Sequence, residues 1–260
     1  MVKKSDLKKL NSILQEANEF KNLKEYNKAV EKYLEALTFV EERVKEPEER
    51  DDETTNIKSQ IDQIYSVKII DIVDTARNFV NKEDFTSAFN TYDEAVRIAD
   101  KIVDKELRDY EVNEINYLIN KTKIEESLFQ GVLVKNRNEF DKAISMLRDT
   151  LNAAKEFYME DLENEMIKKI ETSINETYSL KVAILTEKAK QLKASENLDG
   201  ALEEFKKALK LVDNYFESDL KDIDKNNLVN LTNQIHATKI KIIVDKGQKL
   251  FEENNFNEAA

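Results

Sequence analysis

The sequence predicts an all-α fold, a solenoid of stacked antiparallel helical hairpins, from three observations. A short phrase recurs down the chain: Tyr26-Asn27-Lys28-Ala29, Phe85-Thr86-Ser87-Ala88, Phe140-Asp141-Lys142-Ala143, Leu198-Asp199-Gly200-Ala201 and Phe256-Asn257-Glu258-Ala259. Its alanines lie 59, 55, 58 and 58 residues apart, and a fixed period in this range marks a stacked-repeat architecture. The 260 residues hold three glycines and one proline, too little turn punctuation for a strand-rich fold. Between the phrases, apolar residues recur at helical spacing, because positions three and four apart share one helix face.

Each repeat divides into a first helix, A, and a second, B. The hairpins are expected at 5–46, 53–105, 108–160 and 163–218, with a partial fifth at 222–260, in a single solenoid with a period of about 57 residues. B is expected to open at the phrase. Its N-cap column reads Asn27, Thr86, Asp141, Asp199 and Asn257, all able to accept a hydrogen bond from the free N–H groups of a first turn. The polar stretch before it, such as Asn81-Lys82-Glu83-Asp84, is the hairpin turn, and the aromatic or leucine between them is placed to staple the two helices. B continues small-large-small: Ala29, Tyr33 and Ala36; Ala88, Tyr92 and Ala95; Ala143, Leu147 and Thr150; Ala201, Phe205 and Ala208.

Twelve residues before each alanine, A carries a small residue: Ala17, Ala76, Gly131, Ala189 and Gly247. Glycine inside a helix costs roughly 1 kcal/mol relative to alanine, so close helix contact is the expected reason for it. Three residues on stand Phe20, Phe79, Val134, Leu192 and Leu250. Upstream, Ile57, Ile61 and Ile64, then Val112, Ile115 and Ile119, then Ile170 and Ile174, then Leu228, Leu231 and Ile235 extend A to about 28 residues, roughly 42 Å long, and leave about 20 for B. Pro47 is placed in the first inter-repeat connection.

These columns resemble the tetratricopeptide (TPR) family, whose core pattern is a small residue, a bulky one three later, then alanine, a large residue and another small one. The resemblance covers four hairpins and half of a fifth. It implies a right-handed α-α superhelix and a groove, lined by one flank of the A helices, that binds extended peptides or helices. The departures are the period, about 34 residues in the family, and the lack of tryptophan and of a proline closing each B helix. The long hairpins are closer to those of vesicle-fusion adaptors of the soluble-attachment-protein type.

That flank carries Asn18, Arg77, Val132, Lys190 and Gln248 one residue after the small column, and Lys21, Val80, Lys135, Lys193 and Phe251 four after it. Asn18, Lys21, Arg77, Lys135, Lys190 and Lys193 are therefore the candidate partner-binding residues. Cations near a helix C-terminus also complement its dipole, a simpler role for the same residues. The family's carboxylate clamp is not expected, since Leu14, Val73 and Leu128 stand where a lysine belongs.

A second polar column holds Lys9, Lys68, Lys123, Lys181 and Lys239. We read each as laying its stem on the core margin and pairing with a carboxylate of an adjacent helix; the alternative is a ladder of cations for an acidic partner. His236, the one histidine, aligns with Tyr65, Asn120 and Tyr178, a packing or flanking position without an orienting partner for base catalysis. The run 41–53 holds eight acids and three bases and reads as a solvated connection and helix start.

The chain has no cysteine, hence no disulfide, thiolate metal site or cysteine nucleophile. No phosphate loop, dinucleotide fingerprint, HExxH or calcium-loop spacing is present. A net charge of −12 argues against a general nucleic-acid binder. No apolar run approaches a membrane span or a secretory signal, so a cytoplasmic protein is expected. The fifth phrase opens a B helix with no room to form, so either the fifth A helix caps the stack or the chain is a fragment of a longer protein; the fragment is the expectation. The expected function is a non-catalytic scaffold or adaptor without cofactors, binding a peptide, helix or domain that carries acidic residues. The alternatives are a membrane-trafficking or coat-type adaptor and the regulatory subunit of an enzyme.

Overall fold

Residues 4–159 and 164–252 are described by a computed structural model. Among them every regular element is a helix: α1 (Lys4–Asn22), α2 (Tyr26–Arg43), α3 (Pro47–Asn81), α4 (Phe85–Ala99), α5 (Lys105–Asn136), α6 (Phe140–Phe157), α7 (Glu165–Ala194), α8 (Leu198–Val212) and α9 (Ser218–Glu252). The fold is all-α. The phrase at Phe256, with its cap Asn257, lies outside the described residues.

The odd-numbered helices after α1 are longer than expected, 35, 32, 30 and 35 residues, and the even-numbered ones shorter, 18, 15, 18 and 15. Pro47 is the first residue of α3 rather than part of the connection. A helix start tolerates proline, because the N–H it lacks has no helical partner there. The acidic stretch that follows is helical, with Glu48 and Glu49 in the first turn, where carboxylates oppose the positive end of the helix dipole.

The hairpin turns share one geometry. Lys24, Glu83, Asn138 and Glu196 adopt left-handed backbone, φ 58–63°. The N–H of the next residue reaches back to the bulky A-helix column, Glu25 to the Phe20 carbonyl, Asp84 to Phe79, Glu139 to Val134 and Asn197 to Leu192. A second bond joins each left-handed residue to the carbonyl three before it. These are Schellman closures, which usually employ glycine at the left-handed site; here none does.

The closure shifts the N-caps. The capping residues are Glu25, Asp84, Glu139 and Asn197, two positions before the expected column. Asp84 Oδ1 accepts from the Ser87 N–H at 3.1 Å and Asn197 Oδ1 from the Gly200 N–H at 3.0 Å. Asn27, Thr86, Asp141 and Asp199 lie inside the first turn instead.

Two compact units divide the chain, Met1–Glu126 and Ser127–Ala260. In the first, α1 and α2 bury Leu10, Ile13, Ala17, Ala29, Tyr33 and Ala36 together with Ile57, Ile61 and Ile64 from the first half of α3. The second half of α3 contributes Ile69, Val73 and Ala76 to another core, with Ala88, Tyr92 and Ala95 of α4 and Ile115 of α5. One long helix thus serves two successive cores, which explains its length. In the second unit α7 packs on both α6 and α8, and α8 on α9.

The small columns are fully buried: Ala17, Ala29, Ala76, Ala88, Ala143, Ala189 and Ala201 are all at 0% exposure. A Cβ built on Gly131 would lie 2.6 Å from Leu147 Cδ2 and 2.9 Å from its Cγ, so alanine there would have to displace the Leu147 side chain between α5 and α6.

Alternate hairpins match better than neighbours. Glu25 and Glu139 pair with Lys28 and Lys142 in the same turn, whereas Asp84 and Asn197 cap through side chains. Asp62 Oδ1 and Oδ2 accept from the N–H groups of Val103 and Asp104 at 2.8 and 3.0 Å. Asn175 Oδ1 accepts from the Phe216 N–H at 2.9 Å. Asp62 and Asn175 both stand fourteen residues before their small-column alanine, and both are buried. They tether the connection that leaves the shorter helix of hairpins two and four.

Candidate partner-binding surface

The lysine column is spent largely within the fold. Lys68 Nζ donates to Asn27 Oδ1 at 3.0 Å, Lys239 to Asp199 Oδ1 at 2.5 Å, and Lys181 to Asp141 Oδ1. Each lysine ties the first turn of the preceding B helix to the next A helix. Asn27, Asp141 and Asp199 therefore recur as acceptors for this lysine, not as caps. Lys239 holds the Asp199 carboxyl below its usual range by this hydrogen bond and by its charge. Lys123 has no such bond among the described residues; its counterpart Thr86 has a shorter side chain. Lys9 lies over the Phe39 ring, 5.4 Å from the centroid.

The six candidate residues behave differently from one another. In the first unit, Asn18 is engaged inside its hairpin: it donates to the Leu14 carbonyl and accepts from the Tyr33 hydroxyl, both at 2.9 Å. Lys21 is half-buried and makes no ion pair among the described residues. Arg77 is exposed on α3 and, among the described residues, pairs only with Asp74, one turn before it, at 3.1 Å. It lines a cavity of about 230 Å³ between α3 and α5, with Val80, Tyr92, Lys121, Thr122 and Glu125.

In the second unit, Lys135 is consumed: its side chain is 11% exposed and bonds Glu176 of α7 at 2.7 Å. Lys190 is exposed and lines a cavity of about 470 Å³ between α7 and α9, with Ser179, Thr186, Asp224, Asn227 and Gln234. Lys193, half-buried and without an ion pair among the described residues, follows one turn on. Arg77 and Lys190 occupy the same column of their hairpins, and each stands at a cleft between consecutive long helices.

A third cavity, about 630 Å³, lies where α3 meets the connection from α4 to α5 and is lined by Lys58, Ser59, Asp62, Asp104 and Glu106. Asp62 already holds two backbone donors there. Column reading overlooked Asp62 and Asn175; their signal was a polar side chain directly beside an isoleucine ladder.

His236 is exposed on α9. Among the described residues no cluster of three or more histidine, aspartate or glutamate side chains is placed to hold a metal ion, and no helix is long and apolar enough to cross a membrane. Compared with protein-family models, with curated proteins and with solved structures, the chain matches none. Fold and surface alone therefore define its class: an all-helical protein of consecutive hairpins with adjacent helices packed together.

Proposed function

We propose that this chain is a non-catalytic, TPR-like scaffold or adaptor, a right-handed superhelix that binds a peptide, helix or domain bearing acidic residues along the clefts between its long helices. The observation that carries this reading is the pair Arg77 and Lys190. Both are exposed, both follow a fully buried alanine by one residue, and each lines a cleft between two long helices. In a protein of net charge −12, cations beside polar clefts would attract a carboxylate-bearing partner and fix its register. Lys21 and Lys193 extend the surface by one turn in their units. Asn18 and Lys135 support it from within, since their polar groups are already bonded.

Crosslinking mass spectrometry of the protein with a captured partner should place contacts at α3–α5 and α7–α9. Arg77→Glu and Lys190→Glu together should abolish binding while leaving the helical circular dichroism unchanged. Unaltered binding by that variant would remove the clefts as the site. A coat-type adaptor is the second reading, supported by long helices of 30–35 residues. Co-sedimentation with acidic-lipid vesicles, abolished by the same charge reversals, would favour it.

A further inference from the structure

The α3–α5 cavity beside Arg77 is lined by two buried hydroxyls that bond to nothing among the described residues. Tyr92 is 1% exposed and its hydroxyl has no partner there. Its counterpart in the first hairpin, Tyr33, donates to Asn18 Oδ1 at 2.9 Å. In the second hairpin Arg77 takes the place of Asn18, and a guanidinium offers no acceptor. Thr122, 3% exposed, lines the same cavity. The other buried threonines, Thr150 and Thr177, donate to the Met146 and Ser173 carbonyls at 2.8 and 2.6 Å. Thr122 makes no such bond among the described residues. Lys121, half-buried beside it, has no ion pair among them either.

Buried polar groups in folded proteins are normally paired, so two unpaired hydroxyls in one cavity mark a site completed from outside the chain. Two cations beside them select an acceptor that carries negative charge. We propose that this cavity binds a phosphoryl group, carried on a phosphoserine or phosphothreonine side chain of the partner. The proposal rests on the reading that the α3–α5 cleft receives an acidic partner, and it specifies the acid.

A phosphomonoester brings three strong acceptor oxygens and about −1.5 to −2 charge at neutral pH, whereas a carboxylate brings two oxygens and a single charge. Arg77, Lys121, Tyr92 and Thr122 supply four donor side chains, two of them cationic, a set that the phosphoryl group fills more completely. At about 230 Å³ the cavity is smaller than the roughly 300–1,000 Å³ of sites for whole small ligands. It therefore suits one headgroup presented on a larger chain rather than a nucleotide. Glu125, one turn after Lys121, also lines the cavity and opposes an anion there. In the second unit Leu147 and Phe205 stand in the column of Tyr92, so the cleft at Lys190 lacks the tyrosine hydroxyl.

Short labelled alanine peptides with phosphoserine, glutamate or serine at the centre, titrated into the full chain by fluorescence anisotropy, test it. The phosphoserine peptide should bind saturably and roughly tenfold more tightly than the glutamate peptide, and the serine peptide should not bind. Tyr92→Phe and Thr122→Val should each weaken the phosphoserine peptide roughly tenfold. Both should leave the thermal melt unchanged, since neither hydroxyl bonds within the fold. Arg77→Glu should abolish binding, Glu125→Gln should tighten it, and Lys190→Glu should not alter it. Phosphoserine binding that survives both Tyr92→Phe and Thr122→Val would overturn the proposal. Equal binding of the phosphoserine and glutamate peptides, lost for both in Arg77→Glu, would end it while leaving the acidic-partner cleft standing. Inorganic phosphate that displaces the peptide at equal concentration would make a free oxyanion the ligand and remove the partner side chain. Absence of binding by every peptide would overturn the proposal together with the Arg77 half of the cleft reading.

Discussion

Gly131 shows most directly how one residue sets a helix contact. Its hydrogen faces Leu147, which is fully buried and would have to shift to admit a Cβ. Alanine would gain up to about 1 kcal/mol of helix propensity, but overpacking a filled core costs typically about 1–3 kcal/mol. Gly131→Ala should therefore destabilise by about 1 kcal/mol net, read as a lower urea midpoint with unchanged slope. A neutral result would mean that α5 and α6 can separate cheaply. Gly200 is the contrasting case: a Cβ there would meet only the Asn197 side chain, at 2.8 Å, and that exposed cap can swing aside. The lysine column teaches the same lesson at longer range. Its regularity reflects a recurring bond from Lys68, Lys181 and Lys239 to the first turn of the preceding B helix.

At the scale of the element, the long helices are what distinguish this protein from a stack of short hairpins. Ile57, Ile61 and Ile64 of α3 close the core behind it, while Ile69, Val73 and Ala76 close the core ahead. Within the first set, directly after Ile61, sits Asp62, whose buried carboxylate holds the Val103 and Asp104 N–H groups. Removing a buried acceptor strands its donors, at about 1–3 kcal/mol. Asp62→Ala should cost that much, Asp62→Asn less because one oxygen remains, and Asn175→Ala about 1 kcal/mol through the Phe216 N–H. Urea unfolding gives the magnitudes. Faster hydrogen exchange at Val103 or Phe216 would locate the loss, and unchanged exchange would refute the tether.

Across the whole molecule the same alternation appears in both compact units, in helix length, capping and tether. Each unit also contains a tyrosine that resists ionisation. Burial and a 2.7 Å hydrogen bond to Asp71 push the Tyr26 hydroxyl up to about 12. Burial and a 3.0 Å bond to Asp224 raise that of Tyr215 as well. An unfolded tyrosine ionises near 10. Both groups therefore stabilise the fold fully below about pH 10; the Tyr26 contribution is lost as pH rises through about 12, and that of Tyr215, raised further, is lost only above it. Urea midpoints should fall steeply across that window, and Tyr26→Phe with Tyr215→Phe should flatten the fall while lowering stability at neutral pH. An equally steep fall in the double variant would place the alkaline sensitivity elsewhere.

Periodicity by itself determined that this chain is helical, where its turns lie, and which alanines and aromatics form the contacts between helices. Those features depend on local spacing, and a helix with one apolar face has few ways to bury it. Element lengths and polar partners came only from the tertiary structure. Asn27, Asp141 and Asp199 looked like caps because a cap and a first-turn acceptor use the same side chains. Asp84 and Asn197, two residues earlier, won the capping role once the Schellman turn set the start of the helix. The candidate surface was readable as a column of cations, but its members divided on packing: Lys135 met Glu176 and was largely covered, while Arg77 and Lys190 stayed at the clefts. Such outcomes depend on partners some forty residues away in sequence, which no local pattern contains.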